Sequence, residues 1–68
     1  MPYIHIQITD EGVSNEQKQQ LIQGTTALMV KVLNKEPETT FIVIEEVSVD
    51  NWGIGFQSVR QRRAQSQR

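Results

Sequence analysis

Residues 2–8 alternate between apolar and polar positions. Ile4, Ile6 and Ile8 fall on one side of the chain, and Tyr3, His5 and Gln7 on the other. That period of two predicts a half-buried β-strand. Asp10, Glu11 and Gly12 break the pattern as a turn. Ser14 then stands as an N-cap with Gln17 three residues on, the spacing of a capping box, and Glu16 suits the positive end of a helix. From about Asn15 to Leu33 the apolar residues recur at helical intervals. Leu21, Leu28 and Val32 form one stripe, with Ile22, Met29 and Leu33 beside it. Lys31 and Lys35 fall near the negative end, and Asn34 is the predicted stop. Gly24 inside this helix costs about 1 kcal/mol relative to Ala. A connection containing Pro37 leads to a second predicted strand, Thr40 to Val47, with Phe41, Val43 and Val47 on one face and Ile42 and Ile44 on the other.

Strand, helix and strand with short links predict a β-α-β unit with parallel strands and a right-handed crossover. After it, Gly53 and Gly55 flank Ile54 between Trp52 and Phe56, the composition of a tight hairpin or a loop packed across an edge. The fold class expected is therefore α+β, a single domain over residues 1–68, with 57–68 as a polar, fraying tail.

Both faces of the second strand are apolar, and one helix covers only one of them. A chain of 68 residues is marginal by itself, and small scaffolds rely on disulfides, a metal or oligomerisation. There is no Cys, and His5 is the only His, so neither a disulfide framework nor a thiolate metal site is expected. That leaves association of copies, or with another chain, to cover the second face. No run approaches the roughly 20 apolar residues of a membrane span, and the N-terminus is strand-like rather than signal-like. A cytoplasmic chain with no membrane partner is expected.

The net charge of −1 is unevenly placed. Arg60, Arg62, Arg63 and Arg68 all lie in the tail. Before it, three Lys face all eight acidic residues, a balance of −5. A basic tail attracts anionic ligands or nucleic acid. No aromatic residue interleaves these arginines, so no stacking surface for single strands is present, and a solvated end with no nucleic-acid partner is expected.

Pro2, directly behind the initiator Met, admits two readings. It sets φ where a strand begins, a position that tolerates Pro. Alternatively, removal of Met1 leaves a prolyl secondary amine, both base and nucleophile in one rigid ring. An α-amino group titrates at about 7.7–8.0, apolar surroundings lower that value, and a base poised near working pH is what proton transfer needs.

Taken in order, Met1-Pro2, a short strand, a turn into Ser14-Asn15-Glu16-Gln17-Lys18, a helix, a strand ending Ile44-Glu45-Glu46, and Trp52-Gly53-Ile54-Gly55 resemble the 4-oxalocrotonate tautomerase family over about residues 2–56. The resemblance implies a β-α-β protomer in a homo-hexamer built as a trimer of dimers, or a hetero-oligomer. It implies no metal or organic cofactor, and Pro2 as the catalytic base converting a small enol or keto acid. Trp52 aligns with an aromatic wall of the site, and Tyr3 and Thr9 are expected to line its mouth.

Family members carry an Arg in the turn before the helix and another early in the second strand. Here Val13 holds the first position and Phe41, or Ile42 one residue on, the second. The usual anion clamp is thereby missing, which counts against dicarboxylates such as 2-hydroxymuconate; Lys35, Arg60, Arg62 and Arg63 are the substitute cations. Two alternatives accompany this reading. One is a weakly active or structural subunit in a hetero-oligomer. The other is a hydratase- or dehalogenase-like relative using Glu45 or Glu46 to activate water, against the plainer view of these as surface residues. His5 is read as a subunit contact rather than an acid–base partner.

Overall fold

The computed structural model describes residues 1–66. Arg68 and the last residues of the expected tail lie outside them. The elements in chain order are β1 (Tyr3–Thr9), α1 (Asn15–Leu33), β2 (Phe41–Val47), β3 (Gly53–Ile54), β4 (Gln57–Ser58) and α2 (Val59–Ser66), with single 3-10 turns at Pro37–Thr39 and Val49–Asn51. β1 and β2 pair in parallel, in register from Tyr3 opposite Phe41 to Thr9 opposite Val47. β3 and β4 pair antiparallel as a separate hairpin. This is the expected β-α-β unit followed by a hairpin. The hairpin turns at Gly55, whose φ of 62° is a conformation that favours glycine. The polar, fraying tail expected from Gln57 onward is instead β4 and α2 over the described residues 57–66.

Local chemistry sets the limits of α1. The Ser14 hydroxyl accepts from Gln17 N–H at 3.1 Å, and the Gln17 side chain accepts from Ser14 N–H at 2.9 Å, a complete capping box. At the other end Asn34 adopts the left-handed conformation (φ 53°) and donates its N–H to Val30 O. Gly12, at φ 83°, makes the turn into the helix.

The inner face of the sheet carries Ile4, Ile6, Ile8, Ile42 and Ile44, all half-buried. α1 supplies Ile22, Thr25, Thr26, Met29 and Val30 at half-buried positions, and Lys18 bridges to Glu46 at 2.9 Å. The Leu21–Leu28–Val32 stripe is on the outside, with Leu28 52% and Val32 65% exposed. A sheet two strands wide is too narrow to meet both apolar stripes of the helix. The outer sheet face is open as well, with Tyr3, Phe41 and Val43 exposed. No described residue is fully buried. The radius of gyration is 15.7 Å, against about 11 Å for a compact chain of this length. No helix is long and apolar enough to cross a membrane among the described residues.

Two ion pairs tie α2 to the body. Arg60 Nε donates to Asp50 at 2.5 Å, and the Arg63 guanidinium donates to both oxygens of Glu11. Hydrogen bonding from Arg63, then from Thr9, holds the Glu11 carboxyl below its ordinary value; Arg60 does the same to Asp50. Both depressed values mean that these ties contribute above the ordinary carboxylate range and are lost as pH falls through the folded values.

Acidification is therefore expected to lower the amide protection factors (exchange relative to the intrinsic rate at each pH) over residues 59–64 before those of β1, and molar salt should do the same by screening. Unchanged protection under both conditions would refute the role of the pairs. Separately, Ser14→Ala is expected to cost about 1 kcal/mol, read as a lowered urea midpoint at fixed protein concentration.

Candidate active site

Pro2 is held at the first rung of the parallel ladder. Its carbonyl accepts from Phe41 N–H at 3.0 Å, and the ring is half-buried. Met1, ahead of it, is 83% exposed. With Met1 attached the Pro2 nitrogen is a tertiary amide without basicity; once released it is a secondary amine. Tyr3 and Phe41 stand opposite one another beside it on the open sheet face.

Further along the same face, Glu45 Oε1 lies 2.9 Å from His5 Nε2 and accepts from Gln7 Nε2 at 3.0 Å. The Gln7 hydrogen bond, and secondarily His5, hold the Glu45 carboxyl below its ordinary value. Its oxygen is engaged on the sheet face, while Glu46 is engaged by Lys18 on the other. Lys35 follows α1, whose C-terminus returns to the Pro2 end of the sheet. Among the described residues no three His, Cys, Asp or Glu side chains converge as a metal site.

Thr9 and Trp52 lie at the opposite end. Trp52 is half-buried and its indole N–H donates to Val47 O at 3.2 Å; Val47 is the residue opposite Thr9. Six steps of about 3.3 Å along β1 separate the two ends, roughly 20 Å. The protomer thus brings Pro2, Tyr3 and Phe41 together, and Thr9 and Trp52 together, but keeps the two groups apart.

The Thr9 end also holds a groove of about 470 Å³ whose lining includes Ile8, Val13, Leu21 and Gln20. Glu11 stands at its edge, bound by Thr9 and Arg63. Sequence reading did not find this Glu11–Arg63 pair. The partners are 52 positions apart, and no local period marks them. Leu21 was visible only as part of an apolar stripe.

The Tautomerase enzyme family model matches residues 2–62. A probable tautomerase K2 of Dickeya dadantii (strain 3937) is 54% identical over 66 residues, covering 97% of this chain and 98% of that one. Among solved structures, DmpI from Helicobacter pylori superimposes with a TM-score of 0.87 at 48% identity, covering 93% of this chain and 97% of that one. TomN, a 4-oxalocrotonate tautomerase homologue in the tomaymycin biosynthetic pathway, has a TM-score of 0.84 at 30% identity, covering 93% and 95%. With a β-α-β frame, a proline at the head of β1 and similarity along almost its whole length, this chain belongs to the 4-oxalocrotonate tautomerase family.

Proposed function

We propose that this chain is a tautomerase that needs no cofactor, with the Pro2 nitrogen, released by removal of Met1, as its general base. The observation that carries the reading is the place of Pro2. Its carbonyl is fixed by Phe41 N–H, so the ring nitrogen begins β1 in a set, half-buried position at the first rung of the ladder. A free amine there has the right chemistry. It takes the proton from the hydroxyl of a small enol acid and returns a proton to the neighbouring carbon. The O–H bond breaks, the C=C bond becomes a C–C single bond as a C–H bond forms, and the C–O bond becomes a carbonyl. A positioned base of this kind contributes about 10²–10⁴-fold to rate.

The working form is an oligomer, a trimer of dimers in our reading. Two different apolar surfaces, the outer sheet face and the outer stripe of α1, need two different covers. β1 and β2 each pair on one edge only, and an open edge is a template for another strand. Antiparallel pairing of β1 with β1 of a second copy, around a two-fold axis, sets the start of one strand beside the end of the other. Pro2 of one copy then faces Thr9 and the Trp52 region of the next. The roughly 20 Å gap within a protomer is closed between protomers, with Trp52 as the apolar wall, Tyr3 and Thr9 at the mouth and Phe41 behind the base.

Met-free protein and Pro2→Ala are to be compared on phenylenolpyruvate, after intact mass has shown that Met1 is gone. The variant is expected to lose about 10²-fold or more in kcat/KM while keeping its native mass. Equal rates would refute Pro2 as the base. Val43→Asp, which places a charge on the open sheet face, is expected to reduce the native mass by sedimentation and lower activity together with it. A full-sized, fully active variant would remove the shared-site reading.

A further inference from the structure

Trp52 is held at two points. Its indole N–H donates to Val47 O at 3.2 Å, and its own carbonyl accepts at 2.8 Å from the N–H of Val59, the first residue of α2. The turn ahead of it is closed by Ser48. The Ser48 carbonyl accepts from Asn51 N–H at 2.8 Å, and its hydroxyl accepts from Asp50 N–H at 3.2 Å. The Asp50 carboxylate accepts in turn from Arg60 Nε at 2.5 Å. Residues 50–52 and 59–60 are thereby joined twice, once through the backbones of Trp52 and Val59 and once through the side chains of Asp50 and Arg60. A single hydrogen bond is a pivot, because the chain can turn about it. Two bonds set apart along the same two segments fix the angle as well as the distance.

We propose that Arg60 is a positioning residue for Trp52: by holding Asp50 it sets the angle at which the indole is presented to the site, without itself touching substrate. The inference rests on the reading of Trp52 as the apolar wall that meets Pro2 of the next copy. A wall of this kind contributes only when the residues behind it lock its geometry. Among the arginines of α2, Arg60 is the one placed for the task. Its partner lies two residues before Trp52, and its neighbour Val59 bonds Trp52 itself, whereas Arg63 reaches Glu11 at the turn into α1. The Asp50 and Arg60 side chains are 59% and 61% exposed, so the pair contributes little to the stability of the whole. Its loss leaves the fold and the assembly intact and shows at Trp52.

Two readouts on the Met-free oligomer test this, each taken on variants of native mass by sedimentation. The first is fluorescence. Trp52 is the only tryptophan of the chain, so its emission reports the indole alone. Arg60→Ala and Asp50→Ala are each expected to shift the emission to the red and to increase quenching by acrylamide. The double variant should add nothing to either single one, because both residues act through one contact. Arg60→Lys, which keeps a cation for Asp50, should restore most of the parent emission. Emission unmoved in both single variants, or changes that simply add, would overturn the link between Arg60 and Trp52. This readout needs no turnover and remains valid even if Pro2→Ala proves fully active, so the two readings fail separately.

The second readout is the division of the effect between KM and kcat on phenylenolpyruvate. KM should rise about two- to fivefold in each single alanine variant, the scale of an exposed pair, with kcat within about twofold of the parent. That division is expected when a wall that binds substrate and transition state alike is displaced. Recovery of KM in Arg60→Lys should accompany recovery of the emission. An unchanged KM in a variant whose emission has shifted would overturn the positioning role.

Discussion

The parallel pairing of β1 and β2 beneath a single helix is the constraint on which the rest depends. A sheet two strands wide has two faces and two edges, and one helix of 19 residues covers one face. As a result no described residue is fully buried, and both Tyr3–Phe41 on the sheet and Leu28–Val32 on the helix are left to solvent. Hydrophobic burial is the main favourable term in folding, and a protomer that buries so little retains little of it. The association proposed above is then part of the folding problem for this chain. The same two-strand frame places Pro2 and Trp52 at opposite ends.

Electrostatics organises what hydrophobic burial does not. Glu11 is shared by Thr9 and Arg63, Asp50 by Arg60, and Glu46 by Lys18. These pairs are exposed or only half-buried, and each contributes little by itself. Together they seat α2 against the turn that leads into α1, and so set the edge of the groove. Glu11 thus joins the seating of the C-terminal helix to the edge of the groove at the Thr9 end.

Much of the frame was legible because it is written in local periods. The isoleucine alternation of β1, the Ser14–Gln17 capping box, the Asn34 stop and the Gly53–Gly55 hairpin each depend on residues a few positions apart, and the structure places each of them where the pattern put it. α2 was not legible. Its polar sequence gives no apolar period, and it is tied through ion pairs to Asp50 and Glu11, partners far away in sequence. The direction of the helix stripes was also hidden. Periodicity shows that Leu21, Leu28 and Val32 share a face, but not which of two apolar faces meets the sheet.

By itself the sequence determined the order and kind of the main elements, the absence of disulfides, the surplus of apolar surface over what one helix can cover, and the presence of a proline able to become a strand-leading amine. These follow from short-range sterics, hydrogen-bond capping and composition. Only the tertiary structure decided that Pro2 stands at the end of the sheet with Tyr3 and Phe41, while Trp52, bonded to Val47 opposite Thr9, stands at the other. It also decided that Ile8, Val13 and Leu21 share a groove with the engaged Glu11 carboxylate. The physical reason is that strand direction and register turn sequence distance into spatial distance. A parallel pair separates the two ends of β1 by the full length of the strand, and a long-range ion pair chooses its partner only after the strands have set the ends in place.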